Sequence, residues 1–349
     1  MPVSTPSIEG VAPPEAGFPP PDGPPVAHRA LSGATVTGDK IFRNGVRAAG
    51  IAVLVITGAI GGFLFIRAFQ ALAVAKFSFL TTENWQPSSH RFGVAAVIPG
   101  TIFIAGVAIT VSTPLAVGGA LWISEIAPDN FVRRLAIALV DLMFAVPSVV
   151  FGLWGLFFFQ KHVIGVARWL ATWLAWIPFF KVSGFNATNP LASRSLFTAS
   201  TFVAGLVVGL MIAPLQCSIM REVFSQAPVG EREGALALGA TRWGMIRTVV
   251  LPFGKGGMIG ATMLALGRAM GETIAVVLII SPIYKIDIHI LHSGAITVSA
   301  LIESKYSEAS AFSLSALFAA GLALFLLTLV VNFGAATIVA RSRSGAESD

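Results

Sequence analysis

Residues 231–252 read Glu231-Arg232-Glu233-Gly234-Ala235-Leu236-Ala237-Leu238-Gly239-Ala240-Thr241-Arg242-Trp243-Gly244-Met245-Ile246-Arg247-Thr248-Val249-Val250-Leu251-Pro252. Pro228-Val229-Gly230 breaks the chain just before it. Glu231 and Glu233 fall in a first helical turn, where the positive end of the helix dipole favours carboxylates. Ala235 to Leu238 are strong helix formers. Gly239 stops the helix, because glycine reaches the left-handed cap conformation at little cost. Thr241 is the expected N-cap of a second short helix carrying Trp243, Ile246 and Val250, and Pro252 is expected to close it. The stretch therefore predicts two short helices joined by a glycine elbow, a compact polar projection suited to a groove on another protein.

The elbow lies between apolar runs. The chain has 349 residues, 55% of them apolar and 11% charged, against roughly 25% charged in soluble domains. That balance predicts an integral membrane protein with all-α spans forming one bundle. The net charge is +6, but the basic residues mostly flank apolar runs, which points to membrane anchoring and topology and away from nucleic acid. Cys217 is the single cysteine, so no intrachain disulfide forms, and its apolar surroundings predict a small buried residue.

Residues 1–40 are rich in proline and poor in large apolar side chains, which predicts a disordered tail. Six apolar runs follow, at 48–66, 93–123, 135–159, 197–220, 257–283 and 312–340. Each approaches or exceeds the roughly 20 residues that cross a bilayer. A further stretch, 163–180, carries Trp169, Trp173 and Trp176 at helical spacing, and is expected to form an amphipathic helix on the outer membrane surface, with a seventh span as the alternative. The resulting division is a tail at 1–40, a first transmembrane helix with an outer loop at 41–92, a core at 93–340 with an inner loop at 221–256, and a short tail at 341–349. Lys and Arg modestly favour the side carrying the elbow, which places it and both termini in the cytoplasm.

Three ionisable residues fall within the runs: Asp141, Arg268 and Glu272. Each costs about 2.5–3.5 kcal/mol at a span centre on insertion scales, so each is a functional candidate. Arg268 and Glu272 are spaced to share one helix face. A guanidinium there offers a fork of donors to an oxyanion. Glu272 would hold it when the path is empty, or take a proton from a protonated anion; the alternative is a structural ion pair. Asp141 would meet a partner, cap a backbone or reach a ligand. Ser148, after Pro147, can present its hydroxyl or nearby amides to an anion. His289 and His292 lie in an outer loop and are too few for a metal site. The chain carries no Gly-x-x-x-x-Gly-Lys-Ser/Thr phosphate loop, so it is not expected to be an enzyme, and any ATP-derived work must come from a partner.

Glu233, Ala235, Gly239 and Leu251-Pro252 resemble the "EAA" loop of ABC-importer permeases, with Gly234 where that pattern has its first alanine. Glu83-Asn84-Trp85-Gln86-Pro87, Gly100-Thr101, Pro114-Leu115-Ala116, Ser124-Glu125-Ile126-Ala127-Pro128, the run from Val146 to Gly155, and Arg268-Ala269-Met270-Gly271-Glu272-Thr273 resemble the phosphate branch of those permeases, the PstC family. The resemblance covers roughly residues 45–340. It implies the six-span type I (MetI-like) importer fold in a bacterial plasma (inner) membrane. It also implies a second, PstA-like permease, a PstB-like ATPase dimer that binds the ATP and Mg, and an extracytoplasmic PstS-like phosphate-binding protein. Glu233, Ala235, Gly239, Ala240, Thr241, Leu251 and Pro252 are the implied ATPase-coupling residues. A permease for sulfate or molybdate, or a membrane sensor of phosphate status, remains open at this stage.

Overall fold

The computed structural model describes residues 37–186 and 194–343. Most of the expected N-terminal tail and the last six residues lie outside that range. The chain divides into two units, residues 1–56 and 57–349. Helix α1 (Thr37–Ala75) begins in the first unit and ends in the second. Residues 37–40, expected in the tail, open this helix. Within the first unit its side chains, such as Phe42 and Leu54, are exposed.

The second unit continues with α2 (Ser78–Thr81), a small antiparallel pair β1 (Trp85–Gln86) and β2 (Arg91–Phe92), and α3 (Val97–Leu121). Helix α4 (Phe131–Ala145) follows, then α5 (Ser148–Trp154), α6 (Gln160–Trp173) and α7 (Thr201–Ser225). The elbow supplies α8 (Val229–Ala237) and α9 (Arg242–Met245); α10 (Leu251–Gly271), α11 (Ile274–Ile279), α12 (Val298–Tyr306) and α13 (Ala311–Arg343) complete the unit. Six of the described helical stretches are long and apolar enough to cross a membrane.

The bundle is built on α3 and α7. They run parallel: Gly205 lies against Ile104 and Val107, and Gly119 against Cys217 further along both helices. A Cβ on Gly205 would come within 2.6 Å of Val107 Cβ, and one on Gly209 within 2.9 Å of the Ala108 carbonyl. Such close helix approach is what small residues permit in membrane proteins. Cys217 is buried between these helices, as its apolar setting predicts. At the far end from the elbow, Thr101 accepts from Val298 N (3.0 Å) and donates to Val97 O (2.9 Å), joining α3 to α12. Ser315 on α13 accepts from Ala71 N (3.2 Å) and donates to Arg67 O (2.7 Å), fixing the second half of α1.

Two expectations change here. The apolar stretch at 163–180 does not form a separate helix: up to Trp173 it continues the helix that starts at Ser148, through a π-turn at Gly155–Phe159. Trp169 and Trp173 remain exposed on it, as interfacial tryptophans would be. Nor does Pro252 close the elbow. A π-turn at Ile246–Val250 lets Leu251 N reach back to Ile246 O, so α9 runs into α10 as one helical rod from Arg242 to Gly271. The wider turn moves the preceding carbonyls clear of the proline ring, which would clash in a regular helix.

Candidate functional site

Two of the expected apolar runs, 135–159 and 257–283, are interrupted, so that the long helices there are Ser148–Trp173 and Arg242–Gly271, and the two breaks lie together. Asn130 caps α4, accepting from Val132 N (3.0 Å) and Arg133 N (3.4 Å). The helix ends at Ala145 because Val146 precedes Pro147 and is driven to an extended conformation, with φ −67° and ψ 129°. Ser148 then opens α5. In the fifth span, α10 ends at Gly271, Glu272 is extended with φ −66° and ψ 125°, and α11 begins at Ile274. A Cβ on Gly152 would stand 2.9 Å from Ala275 Cα and 2.8 Å from a Leu278 methyl, so α5 and α11 touch almost backbone to backbone. The Arg268 guanidinium carbon lies 5.9 Å from the centroid of the Phe144 ring, in the last turn of α4. Two helix C-termini and two N-termini thus converge at one place, where Phe144, Arg268 and Gly271 are exposed and backbone groups are freed at the breaks.

This geometry revises the expected Arg268–Glu272 pair. Because the helix stops between them, the spacing no longer puts both on one face. Glu272 instead turns its Oε1 to Ala275 N (3.4 Å), capping α11, and its carbonyl accepts from Ser299 Oγ (2.9 Å). Arg268 is exposed, and among the described residues its side chain makes no ion pair. Ser148 is half-buried at the first position of α5. Asp141 is exposed on α4, one turn before the break, and has no ion pair among the described residues. An unneutralised guanidinium within a span is tolerated where it faces a water-filled path or a partner.

The elbow has the expected cap. Gly239 stands at φ +87°. Ala240 N bonds to Ala235 O (3.1 Å) and Gly239 N to Leu236 O (3.0 Å), the two bonds of a Schellman ending. Thr241 accepts from Gly244 N (3.1 Å) and so caps α9. Met245, Ile246 and Val250 are buried against Phe224 and Met220 of α7 and Ile123 beyond α3. Glu233 is exposed, and Val229, Leu238 and Trp243 lie open at 65%, 91% and 61% exposure. An elbow with a buried back and an apolar outer face fits a covering partner.

One residue of the elbow carries a contact that sequence reasoning missed. Arg232 Nη2 lies 3.3 Å from Glu125 Oε1, whose side chain is only 4% exposed. The same nitrogen donates to the Phe224 carbonyl near the end of α7. The signal was available in Ser124-Glu125-Ile126-Ala127-Pro128, but nothing in the sequence pairs it with Arg232. At the far end, Asp287 accepts from His289 Nδ1 (2.6 Å) and meets His292 Nδ1 at 3.2 Å. Among the described residues no group of three or more His, Cys, Asp or Glu is placed to hold a metal ion.

Residues 112–344 match the family described as "Binding-protein-dependent transport system inner membrane component". The chain is 36% identical over 312 residues to the phosphate transport system permease protein PstC 2 of Mycobacterium tuberculosis, covering 88% of this chain and 94% of that protein. It is 35% identical over 294 residues to PstC of Mesorhizobium japonicum, covering 84% and 87% respectively. PstC of Haemophilus influenzae matches at 33% over 297 residues, covering 84% and 90%. A solved bacterial ABC transporter involved in importing the acidic polysaccharide alginate shares the fold, with TM-score 0.53 and 17% identity over 86% of this chain and 97% of that one.

Proposed function

The chain belongs to the binding-protein-dependent transport inner membrane components, and within them to the PstC phosphate permeases; from this we propose that it forms half of the path of an ATP-driven phosphate importer. A second, PstA-like permease supplies the other half. A PstB-like ATPase dimer binds ATP and Mg and seats the elbow, and a PstS-like protein delivers phosphate from outside. The elbow end faces the cytoplasm, with both termini on that side.

The observation that carries this reading is Arg268, exposed and without an ion pair among the described residues, beside the breaks that precede Ser148 and follow Gly271. Its guanidinium lowers the barrier to a phosphate anion inside the span, and the capping role of Glu272 leaves that charge available. Freed amides at Ser148 would add donors without adding charge. Nucleotide-driven motion of the ATPase moves the elbow, and the path opens alternately to each side. Vesicles holding the purified four-component importer test this: phosphate should accumulate only with ATP inside the ATPase compartment, and uptake should fail when Arg268 is replaced by Gln. Uptake by this chain alone, without an ATPase, would overturn it.

A further inference from the structure

The rod from Arg242 to Gly271 offers a direct covalent route from the elbow to the fifth span. A second route, to other spans, depends on one side chain. Arg232 sits on α8, in the elbow. It contacts Glu125, in the π-turn that closes α3, and donates to the carbonyl of Phe224, in the last turn of α7. It therefore touches the lower ends of the second and fourth spans at once. Glu125 is almost fully buried, and its Oε1 finds no aligned hydrogen-bond donor. Its charge is balanced by Arg232 at 3.3 Å, and removing that cation would leave a buried carboxylate bare.

The two spans gripped in this way are matched along their length. They run parallel, and Gln216 Nε2 donates to Thr113 Oγ1 (3.3 Å), which sets their register. That register brings Pro114 and Pro214, each inside its helix, to within about one helical turn of the same depth. Each proline deletes one backbone hydrogen bond and weakens the helix there. Below that level α3, α7 and the elbow share one buried cluster that includes Ala116, Ala120, Met220, Phe224 and Ile246. The lower segments are thus packed to each other, pinned to α8 by Arg232, and loosened above at a common plane.

We propose that Arg232 is a positioning residue that locks the elbow to the lower segments of the second and fourth spans, so that the three move as one body in each transport cycle. The inference rests on the elbow being the seat of the ATPase, and it adds which spans follow the elbow and through which contact. It requires the Arg232–Glu125 contact to stay closed while the body moves.

The test uses the complete importer in vesicles, with ATP hydrolysis, phosphate uptake and bound ATPase measured together. Arg232→Gln, Glu125→Gln and the single variants Arg232→Cys and Glu125→Cys should keep ATPase bound and hydrolysing, while phosphate moved per ATP falls about tenfold or more, as expected when a buried charge pair is broken. In the double variant Arg232→Cys/Glu125→Cys, bridging the thiols with a short bifunctional maleimide should restore most of the lost uptake per ATP. Cys217 is buried, and the same reagent on the parent protein controls for it. Unchanged coupling in the single variants overturns the proposal. So does a bridged protein that hydrolyses ATP but no longer transports, since the contact would then have to open. Equal ATPase binding after Leu238→Ser/Trp243→Ser would instead count against the elbow as the seat, a separate outcome. Loss of ATPase from the Arg232 and Glu125 variants themselves would also overturn the proposal, because the pair would then belong to the docking surface.

Discussion

Arg268 lies over the ring of Phe144, with 5.9 Å between guanidinium carbon and ring centroid. The contact joins the last turn of α10 to the last turn of α4, and so brings the breaks of two apolar runs to one place. Neither break alone would make a site. Together they put an exposed cation beside freed backbone groups.

Replacing Arg268 by Gln should leave assembly intact and cut phosphate uptake about 10- to 100-fold, since hydrogen bonds to a charged group contribute about 1.5–3 kcal/mol. Lys should recover part of the loss, because it keeps the charge and loses the fork. Initial-rate uptake in vesicles measures both. Equal uptake by parent and Gln variant would make Arg268 a structural residue.

Gly239 adopts φ +87°, and a Cβ there would meet nothing within 4 Å. A substitution therefore strains only the backbone, by about 1–2 kcal/mol for an ordinary L-residue. Gly239→Ile should insert normally and lose ATPase on co-purification. Asn, which tolerates the left-handed region, should fall between glycine and isoleucine. An Ile variant that holds ATPase and transports normally would argue against the elbow as a docking element.

Gly152 has no such room. Adding one methyl would press on Ala275 Cα and Leu278, and overpacking of this kind costs about 1–3 kcal/mol. Gly152→Ala should lower the unfolding temperature in detergent and depress uptake by parting α5 from α11. Gly106→Ala, with open space around its Cβ, should do neither. Matching melting curves for the two variants would show that the helices can separate freely.

Thr101→Val keeps the shape of the side chain but leaves the Val298 amide without its acceptor. Leaving a buried donor unpaired costs about 1–3 kcal/mol. Hydrogen exchange at Val298, read by mass spectrometry, should rise in this variant while exchange in the elbow stays unchanged.

Local punctuation made the elbow legible. Proline, glycine and threonine each act within a few residues, and the cap at Gly239 and Thr241 follows from them alone. Pro147 marked the break in the run 135–159, yet the apolar pattern passes through it unchanged, so hydropathy placed the crossing at 135–159 where the long helix is Ser148–Trp173. The break after Gly271 carries no proline. There the helix ends at Glu272, whose carbonyl meets Ser299 and whose side chain caps α11. The first is a tertiary contact, invisible to a local reading, while the second is a local cap; the expected shared face of Arg268 and Glu272 failed because the helix stops between them. Hydropathy likewise cannot tell a helix that outruns the bilayer from one that starts anew, which is why 163–173 looked separate. Arg232 and Glu125 became partners only once the ends of α3 and α7 met.

The rod between Trp243 and Arg268 spans 25 residue steps in one helix, about 37 Å at 1.5 Å per residue. Its one irregular point, the π-turn and Pro252, lies near the surface end; from Phe253 the helix runs on to the exposed Arg268. A rotation that passed the π-turn would turn the guanidinium with the helix that carries it.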